Sequence, residues 1–320
     1  VYNLRPNHRG VYDFGMIRVF ASTRLGLIER RLSCGKRQKI KVYPSYLMLH
    51  RYELLAMSDN LTELGIKKIR RVGHQTEFEQ IKEYVKGDDY RTINWKASAR
   101  RHQLMVNVYQ DERSQQIYNV IDKGRVMQQA FQEVTLLDYA INASLVLSYV
   151  AMRKDDKAGL VTFNEHFDTF VPASKQAGQM QNLLESLYAQ ETTFGETDFS
   201  ALCVHLAKHV NKRSLLVLYT NFGSLGSMNR QLAYLQQLSR QHRLLVVFFE
   251  DADLKEYISK KPVDTEGYYR QVIAEKFAYE KRLIVTTLKQ NGIYSVLTTP
   301  DKLSIDVLNK YLEMKSRQLI

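Results

Sequence analysis

Two cysteines, five prolines and one tryptophan in 320 residues exclude several common protein classes. Cys34 and Cys203 stand far apart, so the chain carries neither a disulfide framework nor a zinc-ligand spacing. Both are expected as small buried residues in a reducing compartment. No apolar run approaches the ~18 residues that a membrane-spanning helix needs. Catalytic signatures are missing too: there is no phosphate-cradling glycine loop, no HExxH and no Ser-His-Asp spacing. The eight histidines are scattered. No dense basic run is interleaved with stacking aromatics, which speaks against a nucleic-acid groove. The chain opens at Val1 instead of Met, which points to a segment upstream.

Acidic residues are scarce, and unevenly so. The net charge is +12. Residues 1–110 hold 21 Lys/Arg against 10 Asp/Glu, and the remainder is close to neutral. A basic first module followed by a balanced second one is the simplest division, with the boundary near residue 112. Such a module suits an acidic protein, an anionic membrane surface or nucleic acid, or is simply a solvated basic face. Its start reads as β structure: Tyr12–Ser22 and Gln38–Ser45 alternate and are punctuated by Gly10, Gly15, Gly26 and Gly35. Ile40 and Val42 against Lys39 and Lys41 predict a half-buried strand with a basic outer face. His50–Gly65 has a helical pattern ending at glycine.

From Ser114 the rhythm changes. Strand-like runs (QQIYNVID, KAGLVTF, SLLVLYTNF, LLVVFFED, IYSVLTT) alternate with helical patterns over 134–153, 177–189, 199–210, 228–241, 267–290 and 305–317. This alternation predicts right-handed crossovers and a mostly parallel, doubly wound sheet over 113–320. FDTFVPA follows a tight NEH turn, so it is expected to pair antiparallel at an edge.

Between the two modules lies GDDYRTINWKASARR. Asp88 or Asp89 is expected to cap a helix over Tyr90–Arg101 and to pair with Arg91 or Arg100. Trp95 is expected to pin that helix against a neighbouring module. The 77–110 segment then acts as an interdomain clasp, a partner surface being the competing reading. Glu83, Asp88, Asp89 and His102 sit amid basic residues, and clustered acids of this kind are more often ion pairs than catalysts.

The stretches RGVYDFGMIRV, TRLGLIERR and VYPS, followed by EFEQIKEYVKGDDYRTINWKASARRHQLMVNVYQDERSQQIYNVIDKGRVM, resemble the domain of unknown function 58 family. KAGLVTF fits the same pattern, and the resemblance covers nearly the whole chain. It implies a small β-rich domain leading into a von Willebrand factor A-like domain, anchored by hydrophobic helices upstream on the cytoplasmic side of a bacterial inner membrane. It also implies association with AAA+ ATPases of the MoxR type in chaperone or metal-insertion systems; no enzymatic activity is established for that family, and none is expected here.

A von Willebrand A domain that binds Mg²⁺ does so through a D-x-S-x-S loop, a Thr and a further Asp, because Mg²⁺ requires hard oxygen ligands. The matching loop here is DKGRV. Asp122 keeps its type, whereas Gly124 and Val126 replace both serines. Thr197 matches the Thr, and Asn221 stands where an acid is expected. Asp122 and Thr197 are therefore weak metal candidates. No cofactor is expected, Mg²⁺ being the only ion this loop invites. The expected role is a protein-interaction adaptor whose rim of Asp122, Gly124, Arg125, Val126, Thr197 and Asn221 grips a partner. The alternatives are a metal-dependent hydrolase using Asp122 with Asp88 or Asp89, and membrane-surface or nucleic-acid binding through the basic module.

Overall fold

The computed structural model describes residues 6, 9–22, 29–44, 78–85, 90, 93–109, 114–251, 254, 257–258 and 264–320. The helix expected over His50–Gly65 lies outside these residues, as do Asp88, Asp89 and Arg91 of the expected clasp.

The second module is built on a six-stranded sheet. Its strands are β7 (Gln116–Asp122), β10 (Lys157–Phe163), β11 (Phe167–Ser174), β12 (Leu215–Tyr219), β13 (Arg243–Phe249) and β14 (Tyr294–Thr298). Their spatial order is β11-β10-β7-β12-β13-β14. All neighbours are parallel except β10 and β11, which pair antiparallel at the edge as their short turn demands. The order runs outward in both directions from β7. The topological switch point of a doubly wound sheet therefore lies between β7 and β12.

Side-chain alternation explains why these runs are apolar throughout. Ile117, Ile121, Val217, Tyr219, Leu245 and Val247 face one core. Tyr118, Val120, Leu216, Leu218, Leu244 and Val246 face the other. A strand covered on both faces has no polar side to show. The first core is closed by α2 (Leu136–Arg153), α3 (Gln179–Leu187) and α7 (Leu303–Ser316). The second is closed by α4 (Phe199–His209), α5 (Leu225–Gln241) and the carboxyl half of α6 (Thr265–Gln290). Gly159 lets β10 approach its neighbours, since a Cβ there would lie 2.6 Å from the Tyr118 ring and 2.9 Å from the Ala173 nitrogen.

The first module is a ribbon. β1 (Gly10–Phe14) pairs with β4 (Gln38–Val42), and β2 (Ile17–Ser22) pairs with β3 (Glu29–Cys34), both antiparallel. Ile40 is 42% exposed, so the expectation of a half-buried strand is corrected. Among the described residues no second layer covers either face of these paired strands. Cys34, on the same ribbon, is exposed, while Cys203 is buried as expected and its thiol is pushed up to about 11 by burial. The ribbon's base touches the sheet module. Arg9 pairs with Asp138 at 2.5 Å and donates to the Leu187 and Tyr188 carbonyls. Tyr43 and Lys41 both reach Glu185, at 2.5 and 2.9 Å.

Between the modules, β5 (Phe78–Glu83) pairs with β6 (Met105–Tyr109), and α1 spans Trp95–Arg101. The helix starts later than expected. Its cap is Asn94, whose side chain accepts from the Ala97 nitrogen at 3.0 Å. Trp95 is 70% exposed and Arg100 is exposed. The apolar anchor expected of Trp95 is therefore not formed among the described residues. Among the described residues, Arg9, Lys41 and Tyr43 join the ribbon to the sheet.

Candidate functional site

The carboxyl ends of β7 and β12 meet at the switch point, and Asp122 closes β7 there. In the parallel register Tyr219 lies beside Ile121, so the next residue on each strand, Thr220 and Asp122, stand level on the same side. The Thr220 hydroxyl donates to Asp122 Oδ2 at 2.7 Å. Asp122 Oδ1 accepts from the Gly124 nitrogen at 2.8 Å and from the Thr197 hydroxyl at 2.7 Å. The carboxylate is 1% exposed. Burial raises its pKa above the usual carboxylate range, and the three donors oppose that shift.

Two further loops hold this one. The Arg125 nitrogen donates to the Gly195 carbonyl at 3.1 Å, and the Thr193 nitrogen to the Lys123 carbonyl at 2.9 Å. Asp198 caps α4 by accepting from the Ser200 and Ala201 nitrogens, which leaves Thr197 free to turn toward Asp122. The Lys123 ammonium reaches Asp168 at 2.6 Å and Gln190 at 2.8 Å. Burial works against ionised Asp168, but the Lys123 ammonium holds its pKa below the usual range. The rim is thus pinned from beneath by an ion pair.

Asp122 and Thr197 come together as the sequence predicts, but Asn221 does not join them. Its Oδ1 accepts from the Lys281 ammonium at 2.7 Å and from the Phe222 nitrogen at 3.0 Å. Thr220 takes the contact with Asp122 instead. Thr220, Lys123 and Lys281 were missed by sequence reasoning. Register identifies Thr220, whereas nothing local to Lys281 signals its position.

Few of the hard oxygen donors that Mg²⁺ requires are offered here. Both Asp122 oxygens are occupied by protein donors. A Cβ at Gly124 would sit 2.1 Å from Thr197 Oγ1, so the Thr197 hydroxyl fills the room that a serine side chain takes at that position. Val126 offers no oxygen, and the Asn221 amide is engaged by an ammonium. Among the described residues no group of three or more His, Cys, Asp and Glu is arranged to hold a metal. The close approach at Gly124 has a measurable consequence. Gly124→Ala is expected to lower stability by about 1–3 kcal/mol, the cost of forcing a side chain into packed space. Gly223→Ala, where a Cβ meets nothing within 4 Å, is expected to stay within about 0.5 kcal/mol. Urea unfolding of both variants checks the contrast.

Above the pinned loops the surface is open. Arg125 pairs loosely with Glu196 at 3.5 Å, with side chains 64% and 75% exposed. Val126 borders it, and Phe194 is 78% exposed on the facing loop.

Residues 80–256 match the family described as "Protein of unknown function DUF58". The uncharacterized protein YeaD of Bacillus subtilis is 28% identical over 169 residues. That match takes in 53% of this chain and 40% of the relative, so the chain spans less than half of that protein's length. Among solved structures, the conserved hypothetical protein BatB from Bacteroides thetaiotaomicron is 11% identical, with a TM-score of 0.41 over 63% of this chain and 98% of that one. An aerotolerance-related membrane protein from Bacteroides fragilis is 14% identical, with a TM-score of 0.35 over 63% of this chain and 98% of that one. Among the described residues no helix is long and apolar enough to cross a membrane. The matched segment reaches from β5 past β13, more than half of the chain, and supports one conclusion: the chain belongs to the DUF58 family and carries a doubly wound, mostly parallel sheet with one antiparallel edge strand.

Proposed function

We propose that the chain is a non-enzymatic protein-interaction module whose partner docks on the rim formed by Arg125, Val126 and Phe194. The observation that carries this reading is the pairing of a 78% exposed Phe194 with an exposed Arg125 on loops tied together by backbone hydrogen bonds. Aromatic and arginine side chains contribute most to protein interfaces, and rigid loops reduce the entropy lost on docking. Asp122 acts as the strut beneath, buried and held by three protein donors, which argues against its use in metal-dependent hydrolysis. Following the family resemblance, the proposed partner is a MoxR-type AAA+ ATPase, with the whole protein anchored at the cytoplasmic face of a bacterial membrane.

The test compares proteins captured from the native host by the wild-type chain, Phe194→Ala and Arg125→Ala. One specific protein lost with both variants supports the rim, and identical capture by all three sinks it. Calorimetric titration with Mg²⁺ and Mn²⁺ supplies the second arm. Tight metal binding abolished by Asp122→Ala would overturn the metal-free reading.

A further inference from the structure

Beside the Asp122 loop, at the ends of β12 and β13, lies a cavity of about 340 Å³. Its walls include Phe131, Phe249, Leu254 and Phe277, and Asn221 and Lys281 also line it. Gln129 and Ala130, which follow the Asp122 loop in the sequence, border it as well. Lys281 projects from α6 and is largely shielded from water. Its ammonium lies 2.7 Å from Asn221 Oδ1 and 5.8 Å above the Phe248 ring. An ammonium carries three N–H donors, and Asn221 takes one. The remaining two lie among largely apolar walls, where the Asp251 carboxylate only partly offsets the cost of burying a cation. Desolvation accordingly pulls the Lys281 pKa down to about 8, with Asp251 acting in the opposite direction.

The charges around the cavity narrow the ligand. Arg282 adds a second cation from α6, while Glu250 and Asp251 follow β13. Two carboxylates in the lining repel a dianion more than a monoanion, which favours a carboxylate over a phosphate. The apolar walls favour a hydrocarbon stem. We infer that this cavity receives a carboxylate on an apolar stem, an acidic side chain or chain end of the docked protein partner, with the Lys281 ammonium as its counter-ion. The inference rests on the rim being a protein-docking surface and identifies the group that the partner inserts beside it.

Hexanoate is the probe, with hexanamide and hexyl phosphate as comparisons, on the 320-residue chain. The Lys281 side-chain NMR signal, assigned by its loss in Lys281→Met, is titrated with pH. Hexanoate is expected to raise the Lys281 midpoint by about one pH unit or more, because a bound anion favours the charged form. Hexanamide is expected to leave it unchanged. Lys281→Met is expected to weaken hexanoate binding at least about tenfold, the loss of a desolvated charge pair. Phe277→Glu, at a 45% exposed wall position, is expected to do the same. Equal binding of hexanoate and hexanamide, unchanged affinity in both variants, or tighter binding of hexyl phosphate would overturn the assignment. Hexanoate binding without a protein lost on Phe194→Ala would retain the cavity and reject the rim. Partner loss on Phe194→Ala without hexanoate binding would do the reverse.

Discussion

Asp156→Ala is expected to destabilise the sheet domain by about 3–5 kcal/mol, the range for removing one member of a buried charged cluster. Asp156 is 1% exposed. It accepts from the Tyr311 hydroxyl at 2.5 Å, the Lys315 ammonium at 2.7 Å and the Gln115 nitrogen at 3.1 Å. These bonds tie the last helix, α7, to the starts of β7 and β10, which lie far away in sequence. Truncation leaves the Tyr311 hydroxyl, itself fully buried, without an acceptor, while Lys315 keeps only the Lys154 carbonyl. Tyr311→Phe removes one donor and leaves the carboxylate two, so its expected cost is only about 1 kcal/mol. Chemical denaturation measures both. A loss below about 0.5 kcal/mol for Asp156→Ala, the level of an ordinary surface change, would show that α7 is held by its apolar face alone.

The second large effect depends on pH. Relative to Lys281→Met, the wild-type chain is expected to gain roughly 3 kcal/mol of stability between pH 8 and 10.5, from a shift of about two and a half units at 1.36 kcal/mol each. The sign follows from where the proton sits. Folding lowers the Lys281 pKa to about 8, while the unfolded chain keeps an ordinary lysine. Below pH 8 both states hold the proton, and the folded state bears the full cost of a buried cation. As pH rises through the window the folded state releases its proton first, so the cost disappears. Denaturation midpoints of wild type and Lys281→Met at several pH values give the difference directly, with other titrating groups cancelling between the two proteins. A difference that stays constant from pH 7 to 10.5 would mean that Lys281 is solvated and would also weaken the cavity assignment.

Much of the sheet domain is legible along the chain. The expected helices over 199–210 and 267–290 correspond to Phe199–His209 and Thr265–Gln290. Leu215–Tyr219 and Arg243–Phe249 read as continuous apolar runs because both faces are covered. The NEH turn was short enough to force β11 antiparallel. The first module was harder to read. Alternation of Ile40 and Val42 with lysines states a periodicity of two but does not state whether a second layer exists to cover the apolar side. The helix cap was misplaced for a related reason. Asp88, Asp89 and Asn94 all have capping side chains, and the position of the first helical turn decides which is used.

Periodicity, turn chemistry and residue type by themselves determined the α/β class, the strand succession and the absence of side-chain hydroxyls at Gly124 and Val126, since each is a property of neighbours along the chain. Only the tertiary structure decided that Thr220, not Asn221, contacts Asp122. Adjacent residues leaving a strand point to opposite sides, and the register between β7 and β12 set which one faced the carboxylate. Likewise only packing brought Lys281, sixty positions further on, to the Asn221 amide. A contact between distant helix and loop residues is fixed by how the helix lies on the sheet, and no local pattern encodes that.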